Sequence, residues 1–253
     1  MYKALLSFTT IKSYGDVKKD EILDSDFDTP EAIQEYLDIG YIEEYHGGGG
    51  SDLDWTAIGY EERPQVIDDG YNYAKQIQNT WTPSSDLTSK FAQDYSLIYM
   101  PLVDTSETTS MYQMFYNCST LQTIALLNTS NVTTMGGMFQ SCTALKELPQ
   151  IDTSKVTAMG SMLNGCYSLT TVPILNASSV KGTNAFSSMF GNCISLSDES
   201  LNNILEMCIT ATKYNGTKTL SRLGFNSTNY PASRIQALSN YQAFLDAGWT
   251  IGY

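Results

Sequence analysis

Basic residues are scarce in this chain. Its 253 residues hold 14 Lys/Arg against 27 Asp/Glu, a net charge of −13, and one histidine, His46. An acidic chain with no basic stripe argues against duplex binding, because affinity for nucleic acid rests on cations meeting phosphates. One histidine, far in sequence from the cysteines, and no C-x-x-C pair leave no set of zinc ligands. The five cysteines are odd in number, which does not suit a disulfide framework. No run approaches the ~18 consecutive apolar residues of a membrane span. The opening Met1–Phe8 has too short an apolar run for a secretion signal and reads as a β-strand. No two carboxylates are pinned across a site, and His46 sits beside a polyglycine run, so catalysis finds no constellation to use. No catalytic residue, metal site or cofactor is expected.

What is present is repetition. Asp104-Thr105-Ser106, Asn128-Thr129-Ser130, Asp152-Thr153-Ser154 and Asn176-Ala177-Ser178 stand 24 residues apart. Met111, Met135 and Met159 keep that step, as do Met114, Met138 and Met162, Cys118, Cys142 and Cys166, and Leu97, Leu121, Leu145 and Leu169. A period of this length means stacked coils, each burying its apolar side on the next. The cysteines then form a column of small buried hydrophobes with free thiols. The Met stripe, with Phe115 and Phe139, recurs at helical spacing and predicts a short core helix in each coil. Leucines spaced by three around Leu121–Leu127 predict a short parallel strand near Gln122–Ile124. The column Pro101, Pro149 and Pro173 marks a corner after it, since proline cannot donate within a ladder.

Charge divides the chain. Residues 1–80 carry 17 Asp/Glu and 6 Lys/Arg, whereas residues 81–253 carry 10 and 8. Residues 1–46 read as a small α+β docking module. Its strands are expected near Tyr2–Thr10, Val17–Leu23 and Tyr41–Tyr45, with a helix opened by Pro30. The acids from Asp24 to Glu35 also invite a calcium-loop reading, but Thr29 stands where that loop needs glycine, and a helix cap at Asp28 or Thr29 fits better. Gly47–Ser51 is a flexible hinge, natural or engineered. Residues 47–80 complete a lead-in whose helix over 64–80 caps the first coil, with Trp55 and Trp81 as core plugs. Residues 81–203 form about five coils. An opening coil, ahead of the four that start at Leu97, Leu121, Leu145 and Leu169, is degenerate, with Lys90 and Asp94 in the Met and Cys places. The fourth carries three extra residues between Lys181 and Ser187, a surface bulge that is either a contact point or a harmless insertion. Residues 204–253 form the far cap, with helices expected over Leu201–Thr210 and 231–247 and strands over Lys218–Phe225 and Trp249–Tyr253.

The unit Asn128–Ile151, N-T-S-N-V-T-T-M-G-G-M-F-Q-S-C-T-A-L-K-E-L-P-Q-I, resembles the BspA-like leucine-rich repeat family. The resemblance implies an α/β leucine-rich-repeat solenoid of short parallel strands plus short helices, acting in adhesion or recognition. Met1–Phe8 with Leu37–Glu43 looks like the short N-terminal modules of tailed-bacteriophage structural proteins, and Asp54–Tyr60 followed by Tyr71–Lys75 is similar to lead-ins of this repeat in gut bacteria and their phages. The implied function is non-enzymatic. Residues 1–46 would dock to other proteins of a virion, and the solenoid would project as a fibre, decoration or adhesin that binds a host surface protein or glycan. The alternative is a bacterial cell-surface adhesin. Homo-oligomerisation is left open. The candidate contact surface is the set of outward strand residues Ile98, Tyr99, Gln122, Thr123, Lys146, Glu147, Thr170 and Thr171. The N-x-S/T triplets at Asn117, Asn128, Asn131, Asn176, Asn215 and Asn226 are read as repeat composition, not glycosylation.

Overall fold

The computed structural model describes residues 73, 74 and 76–253, with the backbone of five short strands nearer the start. These are β1 (Tyr2–Ala4), β2 (Phe8–Thr9), β3 (Asp16–Val17), β4 (Ile22–Leu23) and β5 (Ile42–Glu44). β1 pairs antiparallel with β4 on one side and β5 on the other, and β2 pairs antiparallel with β3. The single strand expected over 17–23 is therefore two. The helix after Pro30, the calcium-loop alternative, the glycine hinge and Trp55 lie outside the described residues.

The chain divides into two compact units. The first joins residues 1–81 with 96–103 and 123–126. Its helical residues include 73, 74 and 76–80, among which Ala74 and Ile77 are buried and Gln78 donates to the Leu102 carbonyl at 3.2 Å. Trp81 is half-buried. β6 (Tyr99–Met100) pairs in parallel with β7 (Thr123–Ile124), in the register Tyr99 to Thr123 and Met100 to Ile124. The offset is the 24-residue period, and β7 falls inside the expected Gln122–Ile124.

The second unit holds residues 82–95, 104–122 and 127–253. Successive repeats are bound to one another there by backbone hydrogen bonds. Parallel bridges join Asp86 to Ser110, Ser110 to Thr134, Thr134 to Ala158, and Glu147 to Thr171. Cys118, Cys142, Cys166 and Cys193 are buried free thiols, each donating to a carbonyl of the preceding coil: Phe91, Phe115, Phe139 and Leu163, at 2.9–3.1 Å. Phe91, Phe115 and Phe139 stack with ring centroids 5.7 and 5.3 Å apart.

The Asx-Thr-Ser corner works in two directions. The Asx side chain accepts from the Ser backbone N–H two residues on, at Asp104, Asn128, Asp152 and Asn176, which closes its own turn. The buried Thr105 and Thr153 hydroxyls donate to the Asn128 and Asn176 carbonyls of the next coil, both at 3.0 Å. The triplet thus folds one coil and binds the next with three residues.

The Met-Phe run is not helical. Ser89, Gln113, Gly137, Ser161 and Ser188 all have positive φ, and so do Gln93, Asn117, Ser141, Gly165 and Asn192 four residues later. A right-handed helix cannot contain such residues. The run is instead a chain of tight turns. Alternate N–H groups bond three residues back, as Met138 does to Met135 at 3.2 Å. The others reach across, as Gln113 does to Gly136 and Phe115 to Met138, both at 2.9 Å. A helix would direct every N–H along its own axis and leave the neighbouring coil unbound. The expected class therefore loses its short helices. Parallel strands and bridges joined by turns remain.

At the far end the expected helix is Asp198–Thr210, capped by Ser197, whose side chain accepts from the Ser200 N–H, with Asp198 and Glu199 in the first turn. It also closes the fourth coil. Ser200 Oγ donates to the Thr170 carbonyl at 2.8 Å and accepts from the Val172 N–H at 2.9 Å, and Asn203 Nδ2 donates to the Val172 carbonyl at 3.0 Å. The strand expected over 218–225 is a 3-10 turn, Ser221–Leu223, whose Arg222 and Leu223 carbonyls accept from Ser188 and Phe190. Gly224, at φ +98°, lies so close that a Cβ would stand 2.5 Å from the Gly191 nitrogen. The helix expected over 231–247 is two, Ala232–Gln236 and Tyr241–Asp246. Asn240, between them, is held by Asn202 and Glu206. Of the last strand only the Thr219–Thr250 bridge forms.

Candidate functional site

The eight candidate contact residues are divided between the two units. Ile98, Tyr99 and Thr123 belong to the first unit, and Gln122, Lys146, Glu147, Thr170 and Thr171 to the second. Ile98 is buried, with 8% of its surface exposed, and is corrected from an outward position to a core one. Alternation of inward and outward residues holds only within a strand, and β6 begins one residue later, at Tyr99. Tyr99 and Thr123 are half-buried and Gln122 is exposed.

Lys146, Glu147, Thr170 and Thr171 come together. The Lys146 carbonyl accepts from the Thr170 N–H at 2.8 Å and the Thr170 hydroxyl at 3.1 Å, while Glu147 bridges to Thr171. Lys146, Thr170 and Thr171 are exposed and Glu147 is half-buried. The result is a small polar patch with one cation, one anion and two hydroxyls. Such a patch suits hydrogen-bonded recognition. Nearby, Thr170 also meets the cap, since its carbonyl accepts from Ser197 and Ser200.

A second feature was only half legible in the sequence. Tyr112, Thr134, Gly136, Ala158 and Gly160 line a groove with residues 181–185, which include the fourth-coil insertion. Tyr112, Gly136 and Gly160 occupy one column of the repeat. Because Gly136 has no side chain, the Tyr112 ring lies across it, 3.2 Å from where a Cβ would stand. The insertion was visible as an extra length. The tyrosine was not, because its column is glycine in the next two coils.

The thiols are not reactive centres. Burial pushes Cys118 and Cys193 up to about 12, and Cys142, Cys166 and Cys208 are likewise raised by burial. In the turn carboxylates the effect is reversed. The Ser106 and Ser154 N–H groups, with their hydroxyls, hold Asp104 and Asp152 below the usual carboxylate range. Among the described residues no group of three or more His, Cys, Asp or Glu is placed to hold a metal ion, and no helix is long and apolar enough to cross a membrane.

A protein-family model described as "Mycoplasma protein of unknown function, DUF285" matches residues 86–216, just over half of the chain. The chain belongs to this family. The matched span starts at Asp86, the first bridged residue of the coil ladder, and ends at Gly216, where a Cβ would stand 2.5 Å from the Thr183 carbonyl of the insertion. No curated protein matches the chain. Among solved structures it is similar to the T. pallidum leucine rich repeat protein (TpLRR), at 16% identity over 50% of this chain and 76% of that one, with a TM-score of 0.22. A likeness that slight carries no weight here, and the account of the family's repeat rests on the hydrogen bonds between its coils.

Proposed function

We propose that this chain is a non-enzymatic recognition protein whose residues 81–203 form one continuous leucine-rich-repeat solenoid. The observation that carries the reading is the 24-residue register. Bridges and hydrogen bonds set equivalent residues of successive coils beside one another, so a polar contact surface is presented in step on a rigid backbone. The patch of Lys146, Glu147, Thr170 and Thr171 is the first-named contact surface. Its partner would be a surface protein or glycan.

Two settings follow from the resemblances: a bacterial cell surface, and a phage particle to which residues 1–46 dock. The family description favours the first, since it names a bacterial genus and no phage. Mass spectrometry of purified phage particles beside the host envelope separates the two. Recovery in the envelope fraction with absence from particles supports a surface adhesin. Recovery in particles supports the virion role. For the non-enzymatic reading, a screen of host surface polysaccharides incubated with the full chain should show binding without release of sugar. Release that tracks the purified protein contradicts it.

A further inference from the structure

The groove beside the fourth-coil insertion has the construction of a binding site. Its volume of about 460 Å³ lies within the range of small-ligand sites, ~300–1,000 Å³. One wall is Tyr112, 44% exposed. The other is the insertion, and the cap braces it from behind. Tyr214 Oη donates to the Thr183 carbonyl at 3.3 Å, and Arg222 Nη2 donates to the same carbonyl at 3.4 Å and to Asn184 Oδ1. The Lys181 N–H donates to the Thr157 carbonyl at 3.1 Å. Thr183 and Asn184 of the insertion are therefore held in place by side chains from two separate parts of the cap.

The lining also has a chemical bias. Lys181 is exposed and is the one charged side chain lining the groove, on a chain whose net charge is −13. The rest is a phenol ring, hydroxyls, an amide and glycine backbone, with no large aliphatic anchor. A peptide would need apolar pockets for its side chains. A sugar needs an aromatic face for its C–H surface and polar groups around its rim. We propose that this groove binds an acidic sugar residue of a glycan, its ring on Tyr112, its carboxylate paired with Lys181, and its hydroxyls on Thr134 and Thr183. The proposal deepens the recognition reading and moves the principal contact from the Lys146 patch to this groove.

The test is saturation-transfer difference NMR on the full chain, with D-glucuronate, D-glucose and acetate as probes. Glucuronate should show saturable transfer, strongest at its ring C–H protons, glucose weaker by about tenfold, and acetate none; tenfold corresponds to ~1.4 kcal/mol. Tyr112→Ala should abolish glucuronate binding. Lys181→Gln should reduce glucuronate to the level of glucose and leave glucose unchanged. Gln236→Ala, an exposed change on the cap helix Ala232–Gln236, should change neither, and thermal melts report whether each variant is folded. Absent glucuronate binding, or binding that survives either groove variant when folded, overturns the proposal. Glycan-array hits that are lost on Thr171→Ala but kept in Tyr112→Ala would also overturn it, while leaving the broader recognition reading intact.

Discussion

The coils and the far cap solve the same problem with different chemistry. Each coil leaves backbone N–H and C=O groups pointing along the stack, and buried groups of that kind must be paired. Inside the repeats the partner is the same atom type on the next coil, as with Gly137 donating to the Gly160 carbonyl at 2.9 Å and Phe139 to that of Met162 at 2.8 Å. At the cap there is no next coil. The Arg222 and Leu223 carbonyls continue the backbone pairing for Ser188 and Phe190, but elsewhere side chains take over: Ser200 and Asn203 meet Thr170 and Val172, Tyr230 Oη meets the Cys193 carbonyl, and Arg234 Nη2 meets the Leu196 carbonyl at 2.9 Å. Repetition is economical because one sequence unit serves many times. Termination needs residues that occur once.

Breaking the stack should cost more than breaking the cap. Phe115 is fully buried, with Phe91 and Phe139 stacked on its two faces. Phe115→Ala is expected to destabilise the fold by about 3–5 kcal/mol, read as a lowered denaturation midpoint. Ser200→Ala removes one hydroxyl that serves both the Thr170 carbonyl and the Val172 N–H. Its expected cost is about 1–3 kcal/mol, the penalty for stranding buried polar groups. A larger loss for Ser200→Ala than for Phe115→Ala would reverse the comparison.

A smaller effect sharpens the account of the corners. Asp152 titrates below its ordinary value because its carboxylate accepts from the Ser154 N–H. Its folded pKa lies below the unfolded one, so its contribution is complete above the unfolded value of 3.8 and fades as pH falls through the lower folded one. Asn128 and Asn176 already fill the same place in neighbouring coils. Asp152→Asn should therefore leave stability near neutral pH unchanged and flatten its fall below about pH 4. A steeper acid loss in the variant than in the parent would contradict this role. Acid unfolding curves for the two proteins give the answer.

How far the sequence could be read depended on whether identity or geometry repeats. From Cys118 and Leu97 onward the Cys and Leu columns kept their residue types, and the Phe column changed only to another large apolar residue, Leu163, so their burial was legible. The corner triplet was legible for the same reason. The left-handed positions were not, because Ser89, Gln113, Gly137, Ser161 and Ser188 share a backbone angle but no side chain. Met135, Met138 and Phe139 meet the spacing of a helix face, and a run of tight turns buries the same three residues. The outward set failed at Ile98 because a two-residue strand is too short to impose alternation there. The groove was obscured because its aromatic wall, Tyr112, stands in a column that holds Thr88 before it and glycine in the next two coils. The cap was legible only at Asp198–Thr210, since Ser239 and Asn240 divide what composition alone presents as one helix.

The register of the coils can be measured by engineered cross-linking. Thr109, Thr133 and Thr157 are joined in sequence by backbone hydrogen bonds, Thr133 to Thr109 at 2.8 Å and Thr157 to Thr133 at 2.9 Å. Neighbouring residues in such a stack lie about 4.8 Å apart, inside the Cα range a disulfide spans, whereas residues two coils apart lie well outside it. The native thiols are buried and do not compete. With Thr109→Cys and Thr133→Cys together, mild oxidation should close one disulfide without unfolding. With Thr109→Cys and Thr157→Cys it should close none. Failure of the first pair, or equal closure of both, would contradict the 24-residue register on which the whole account depends.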